Sequence, residues 1–129
     1  MIARVFLGLM ALIFIPYGLY CLVVPGMLAG AAGVSASTGT GTIELQAMYG
    51  GLQTSVGVMC LLGVFRASVA DAAMLALLFI FAGLAIVRVS LGLSQGEFTG
   101  YNTFAMIFES ASLLFLGWYL LLRRPQATA

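Results

Sequence analysis

The chain has 129 residues, 63% of them hydrophobic and 7% charged, with five arginines, four acids, no lysine and no histidine. Soluble domains carry roughly 25% charged residues, so a water-facing surface of this size is excluded. The missing residue types exclude His-ligated metal or haem, a His-activated nucleophile and Schiff-base chemistry, and a net charge of +1 offers no footprint for nucleic acid.

A membrane-spanning helix takes about 20 mostly apolar residues, and four segments meet that length. The first is predicted over residues 5–24 and contains no charge. Pro16 lies inside it, removing one hydrogen bond and crowding the carbonyl of Leu12. With Gly18 beside it, a helix kink is expected there, splaying the outer half. The rival for this segment is a cleaved signal peptide cut near Ala29-Gly30-Ala31. Its apolar run exceeds the ~7–15 residues of such a signal and contains Pro16 and Tyr17, which favours a retained span.

Residues 25–43 form the one long connector, with five glycines, a Ser/Thr-rich stretch and no charge. It reads as a flexible outer linker; the alternative is a lid over the outer mouth of the bundle, built on the apolar stretch Met27–Ala32. The second span is predicted over 44–65. Glu44 suits the positive end of a helix that starts after Thr42. Gln46, Tyr49, Gln53 and Gly57 share one helical face. Beside it, Ala47, Gly51 and Ser55 form a small-residue ridge suited to close helix packing.

After a connector at 66–71, in which Asp71 is placed to cap the next helix, the third span runs over 72–93 and contains Arg88. The last, over 102–122, contains Glu109, with Asn102, Ala105 and Ser112 on the same face. The expectation is an all-α fold: one membrane domain, a bundle of four transmembrane helices covering residues 1–129.

Orientation follows from the arginines. Arg4, Arg66, Arg123 and Arg124 fall on one side of four alternating helices, and the other side has Glu97 but no basic residue. Basic bias marks the cytoplasmic face, so both termini are expected inside. Trp118 and Tyr119 then lie near the inner interface, and Tyr20 and Tyr101 near the outer one. Cys21 and Cys60 are separated by roughly 15–20 Å along the membrane normal at 1.5 Å per residue. That is too far for a disulfide, and apolar packing is expected of both.

Depth brings the polar residues together. Arg88 lies roughly 8 Å and Glu109 roughly 10 Å below the outer boundary at that rise. A charge in a span costs about 2.5–3.5 kcal/mol and normally pairs or faces a cavity. Arg88 and Glu109 are therefore the candidate buried ion pair, with snorkelling of Arg88 to the headgroups as the alternative. Glu44, Gln46, Tyr49, Gln53, Asn102 and Ser112 are the candidate lining of an outward-facing polar cavity, although the two glutamines suit simple helix cross-links equally well.

Glu44 with Tyr49-Gly50-Gly51-Leu52, the stretch Gly83 to Arg88, and Glu109 resemble the bacterial membrane family known as domain of unknown function 4345, whose four-helix layout is similar to that of DoxX-like proteins. The resemblance spans nearly the whole chain and implies that architecture and a bacterial inner-membrane address; it implies no mechanism. The family pattern has a basic residue where Gln46 stands, so a second arginine–glutamate contact is missing here.

Three functions fit these features. The first is a non-enzymatic scaffold or accessory subunit, associating with itself as a homo-oligomer or with a larger membrane complex. The second is a small proton-linked transporter acting as an oligomer. The third is a lipid- or quinone-modifying enzyme using Glu109 or Glu44 as acid or base. The partners expected are the lipid bilayer and a lipid or other apolar ligand; no metal, cofactor or catalytic residue is assigned.

Overall fold

A computed structural model describes residues 1–122; Arg123 and Arg124, half of the arginine bias, lie outside the described residues. Five helices occupy them: α1 (Ile2–Val23), the short α2 (Met27–Ala32), α3 (Gly39–Phe65), α4 (Ala67–Gln95) and α5 (Gly100–Leu122). All except α2 are long and apolar enough to cross a membrane. No strand occurs among the described residues. The protein is an all-helical, multi-pass membrane protein. The chain divides into two compact units, Met1–Ala73 and the part from Met74 onward, and each is described by itself.

In the first unit α1 packs along α3. The buried residues of α1 are Ala3, Leu7, Met10, Ala11, Phe14, Gly18 and Cys21, which fall along one helical stripe. On α3 the matching stripe is Gly50, Val56, Gly57, Cys60 and Gly63. Cys21 and Cys60 are free thiols, fully buried within these stripes. The outward faces keep Leu12, Val23, Phe65 and other large apolar side chains exposed, as lipid contact requires.

The helix boundaries differ from expectation in three places. α3 begins at Gly39, well ahead of Glu44: Thr38 is extended and its hydroxyl accepts from the Gly41 N–H at 3.1 Å, satisfying one of the orphan donors. Glu44 therefore lies beyond the first turn and exposed, where the helix dipole has largely faded. Asp71 likewise does not cap the third span. That helix already starts at Ala67, because Arg66 ends α3 in an extended conformation while its carbonyl accepts from Val69 and Ala70. A single residue thus joins α3 to α4.

The connector after α1 is also shorter than its composition suggests. Met27–Ala32 forms a helix whose Leu28 is fully buried. It ends on Gly33 at φ 69°, with the Val34 N–H returning to the Leu28 carbonyl at 3.2 Å, a glycine-dependent helix stop.

The closest helix contact lies on a different face of α3 from the expected ridge. Ala47 and Ser55 are exposed, and a Cβ on Gly51 would meet nothing nearer than 3.9 Å. The contact is made instead by Gly50, Thr54 and Gly57. A Cβ on Gly18 of α1 would come within 2.8 Å of the Gly50 carbonyl oxygen, one on Gly50 within 2.7 Å of Leu22, and one on Gly57 within 2.8 Å of the Ile15 backbone nitrogen. A π-helical segment at Gln46–Gly51, closed by a bond from Leu52 N–H to the Ala47 carbonyl, leads into this contact. Its wide turn holds one extra residue, which shifts Ala47 from a regular count; Gly51 and Ser55 lie one position beyond the packed Gly50 and Thr54.

This contact also corrects the expected splaying of α1. The helix runs unbroken through Pro16, and its C-terminal half is held against α3 at Gly18 and Leu22. Gly18, two residues past the proline, lets the two backbones approach there.

Candidate functional site

In the second unit α4 and α5 are tied by side chains along their facing stripes. Phe81 meets Phe108 edge-on, with ring centroids 5.6 Å apart at 80°, the geometry the ring quadrupoles favour. Phe108 also stacks on Phe104 one turn away. Further along, Gly92 is buried beneath the end of Met106, which occupies the space a Cβ would need.

Arg88 stands between these contacts on α4, and Glu109 follows Phe108 on α5. Arg88 Nε donates to both carboxylate oxygens, at 2.9 and 3.1 Å, and Nη1 donates to Asn102 Oδ1 at 3.2 Å. Asn102 in turn donates through Nδ2 to the Glu97 carbonyl at 2.6 Å. The Glu109 side chain is 7% exposed and that of Arg88 27%. A carboxylate this dry needs a cation and donors beside it, and Arg88 supplies them.

The backbone around the pair places these groups. Gly96 adopts φ 71° and lets the Glu97 N–H return to the Gly92 carbonyl at 3.2 Å, ending α4 just past Gln95. Thr99 then caps α5, its hydroxyl accepting from the Asn102 N–H at 3.2 Å. The turn thus fixes the Glu97 carbonyl and Asn102 within one hydrogen bond of each other. Asn102 is both part of the cap and the second ligand of the guanidinium.

A cleft of about 440 Å³ opens along α4 beside the pair. Leu84, Val87 and Leu91 form its apolar side, and Arg88, Gln95 and Asn102 its polar end. Its size is within the roughly 300–1,000 Å³ of small-molecule sites. The approach of Arg88 and Glu109 was legible from depth in the sequence; the cleft was not, because exposed leucines and valines on a span read simply as lipid-facing.

The remaining candidate residues are distributed between the units. Glu44, Gln46, Tyr49 and Gln53 belong to the first, and Asn102 and Ser112 to the second. Gln46 Nε2 donates to the Leu22 carbonyl at 2.7 Å, so it closes off a bare carbonyl at the end of α1. Tyr49 and Gln53 are half-buried, and Ser112 is buried one turn from Glu109 on α5. Among the described residues no three His, Cys, Asp or Glu side chains converge as a metal ion would require.

Residues 2–120 match the family described as Domain of unknown function (DUF4345). The chain belongs to this family. No curated protein and no solved structure matches the chain. The DUF4345 match takes in every candidate residue from Pro16 to Ser112; the family carries no stated activity, and any functional reading has to come from the geometry.

Proposed function

We propose that the protein is a non-catalytic component of the bacterial inner membrane, a scaffold or accessory subunit with both termini in the cytoplasm. The observation that supports this reading is the engagement of Arg88 with Glu109 and Asn102. Arg88 and Glu109 face each other and brace α4 against α5, the role of a structural tie. Broad outward faces of leucine, valine and phenylalanine suit lipid and the helices of a neighbouring subunit alike. The test is native mass spectrometry of the protein extracted in mild detergent, with crosslinking in the membrane before extraction. A defined assembly, homomeric or with a fixed partner, is the expected result. A monomer under both conditions removes the scaffold reading.

The cleft beside the pair favours a second reading, a proton-linked transporter acting as an oligomer. In proteoliposomes that reading requires pH-driven solute flux that disappears in Glu109→Gln. No flux, together with a stable assembly, leaves the scaffold.

A further inference from the structure

The contacts between α1 and α3 run antiparallel: Gly50 meets Leu22, Gly57 meets Ile15 and Gly63 meets Leu7. Arg4 stands three residues before Leu7, and Arg66 three residues after Gly63. Both therefore lie roughly 5 Å beyond the same contact, at the same end of the helix pair, at 1.5 Å per residue. Arg4 also occupies the side of α1 turned toward α3. Ile15, Gly18 and Leu22, which approach α3, follow it at 11, 14 and 18 positions, close to whole numbers of 3.6-residue turns. Arg66 closes α3 at that level in an extended conformation. Packing further along the helices thus brings two guanidinium groups to one corner of the first unit.

Neither group is engaged within the protein. Arg4 and Arg66 are exposed, and among the described residues neither side chain has a hydrogen bond or an ion pair. Of the two acids in this unit, Glu44 is toward the far end of α3 and Asp71 lies one turn into α4, so the arginines outnumber the nearer carboxylate. Arg4 is in the first turn of α1 and Arg66 is the C-cap of α3, the level at which a span leaves the hydrocarbon and headgroup phosphates begin. Val5 beside Arg4, and Leu62 and Phe65 ahead of Arg66, are exposed apolar side chains. A partner for this corner is anionic at the guanidinium groups and apolar one step deeper, which is the order of chemistry along a phospholipid. The surplus positive charge selects the headgroup. An ammonium group would be repelled by the second arginine, whereas a lipid of net negative charge meets both favourably.

We propose that Arg4 and Arg66 jointly hold the phosphate of one anionic phospholipid, its acyl chains lying against Val5, Leu62 and Phe65. The site rests on the first unit alone and stands independently of the scaffold reading, since a bound lipid serves a structural subunit and a transporter equally.

The test uses the purified full chain in detergent and native mass spectrometry, titrating phosphatidylglycerol and phosphatidylethanolamine with identical acyl chains. Phosphatidylglycerol is expected as a single adduct held about tenfold more tightly, the worth of one charge-assisted contact. Arg4→Gln and Arg66→Gln change exposed side chains that the fold does not use. Each should remove the preference, and the double variant should lose no more than either single one, because one phosphate needs both groups. Soluble glycerol phosphate should fail to displace the adduct. Equal retention of the two lipids by the unaltered protein overturns the anionic headgroup. Losses that multiply in the double variant overturn the shared site, leaving two arginines that attract anionic lipid independently. A preference that survives both substitutions places the lipid elsewhere on the protein. Displacement by glycerol phosphate at the lipid's own concentration overturns the lipid in favour of a soluble phosphate.

Discussion

Glu109 is the residue whose position most constrains the second unit, because a short, nearly buried carboxylate has no route to water of its own. Its three-group network with Arg88 and Asn102 leads to a non-additive outcome. Removing one partner strands the other in low dielectric, so Arg88→Leu or Glu109→Leu alone should cost about 3–5 kcal/mol of stability, and the double variant clearly less than the sum. Thermal unfolding of the four proteins in one detergent reads the coupling directly. Strict additivity would mean that the two side chains do not interact in solution. Asn102→Ala should be milder, about 1 kcal/mol, for the loss of its bonds to Arg88 and the Glu97 carbonyl. The pair was legible in the sequence because depth follows from counting residues, and two opposite charges on successive spans have few other partners. The place of Asn102 was half legible: its stripe with Glu109 could be counted, but its tie to the Glu97 carbonyl depends on the turn at Gly96, which no periodicity announces.

At the scale of the helices, the α1–α3 contact replaces the expected ridge with a different one, and two glycines a single position apart separate the alternatives. Gly50→Ala inserts a methyl group against Leu22 and should destabilise by about 1–3 kcal/mol. Gly51→Ala meets only the Gln46 carbonyl oxygen, at 3.9 Å, and, in a helix, should be neutral or mildly stabilising, by up to about 1 kcal/mol. Equal effects of the two in a detergent melt would place the contact elsewhere. The sequence contained a usable sign of the true face, since Gly50 and Gly57 stand seven residues apart and Gly18 lies on the buried stripe of α1. What hid it was that the two stripes are neighbours, Gly51 and Ser55 one position beyond Gly50 and Thr54, and both keep helical spacing. Helix starts were misplaced because Thr38 caps α3 with its hydroxyl and Arg66 ends it in an extended conformation, while Glu44 and Asp71 were placed at helix starts by their charge.

For the whole molecule, four spanning helices were legible from length and hydropathy, because a bilayer imposes a minimum apolar run that few other structures need. α4, at 29 residues, is about 44 Å long at 1.5 Å per residue and exceeds the ~30 Å hydrocarbon core, so it tilts or extends beyond the core. Orientation is a separate matter, set by the arginine bias. Reporter fusions after Arg66 and Arg124 should report a cytoplasmic location, and fusions after Ser37 and Glu97 a periplasmic one. A cytoplasmic signal at Ser37 or Glu97 would break the alternation of the four spans.

The wide turn in α3 also makes the helix sensitive to the length of the chain as well as its composition. A segment closed by a bond five residues back stores one surplus residue, and removing that residue offers the backbone a regular helix in exchange. The exchange has a directional consequence: everything upstream of the cut turns by about 100° about the helix axis, one residue's share of a 3.6-residue turn. Deleting exposed Met48 should therefore leave α3 helical by circular dichroism yet swing Gln46 away from the Leu22 carbonyl it now holds. In the intact chain Gln46→Ala should cost about 1 kcal/mol; in the shortened chain the same substitution should cost nothing, because the bond it removes is already gone. If Gln46→Ala is equally damaging in both lengths, the shortened helix has kept its surplus turn by drawing a residue from the Thr38 end, and the phase of α3 is fixed by its contacts with α1 and not by its residue count.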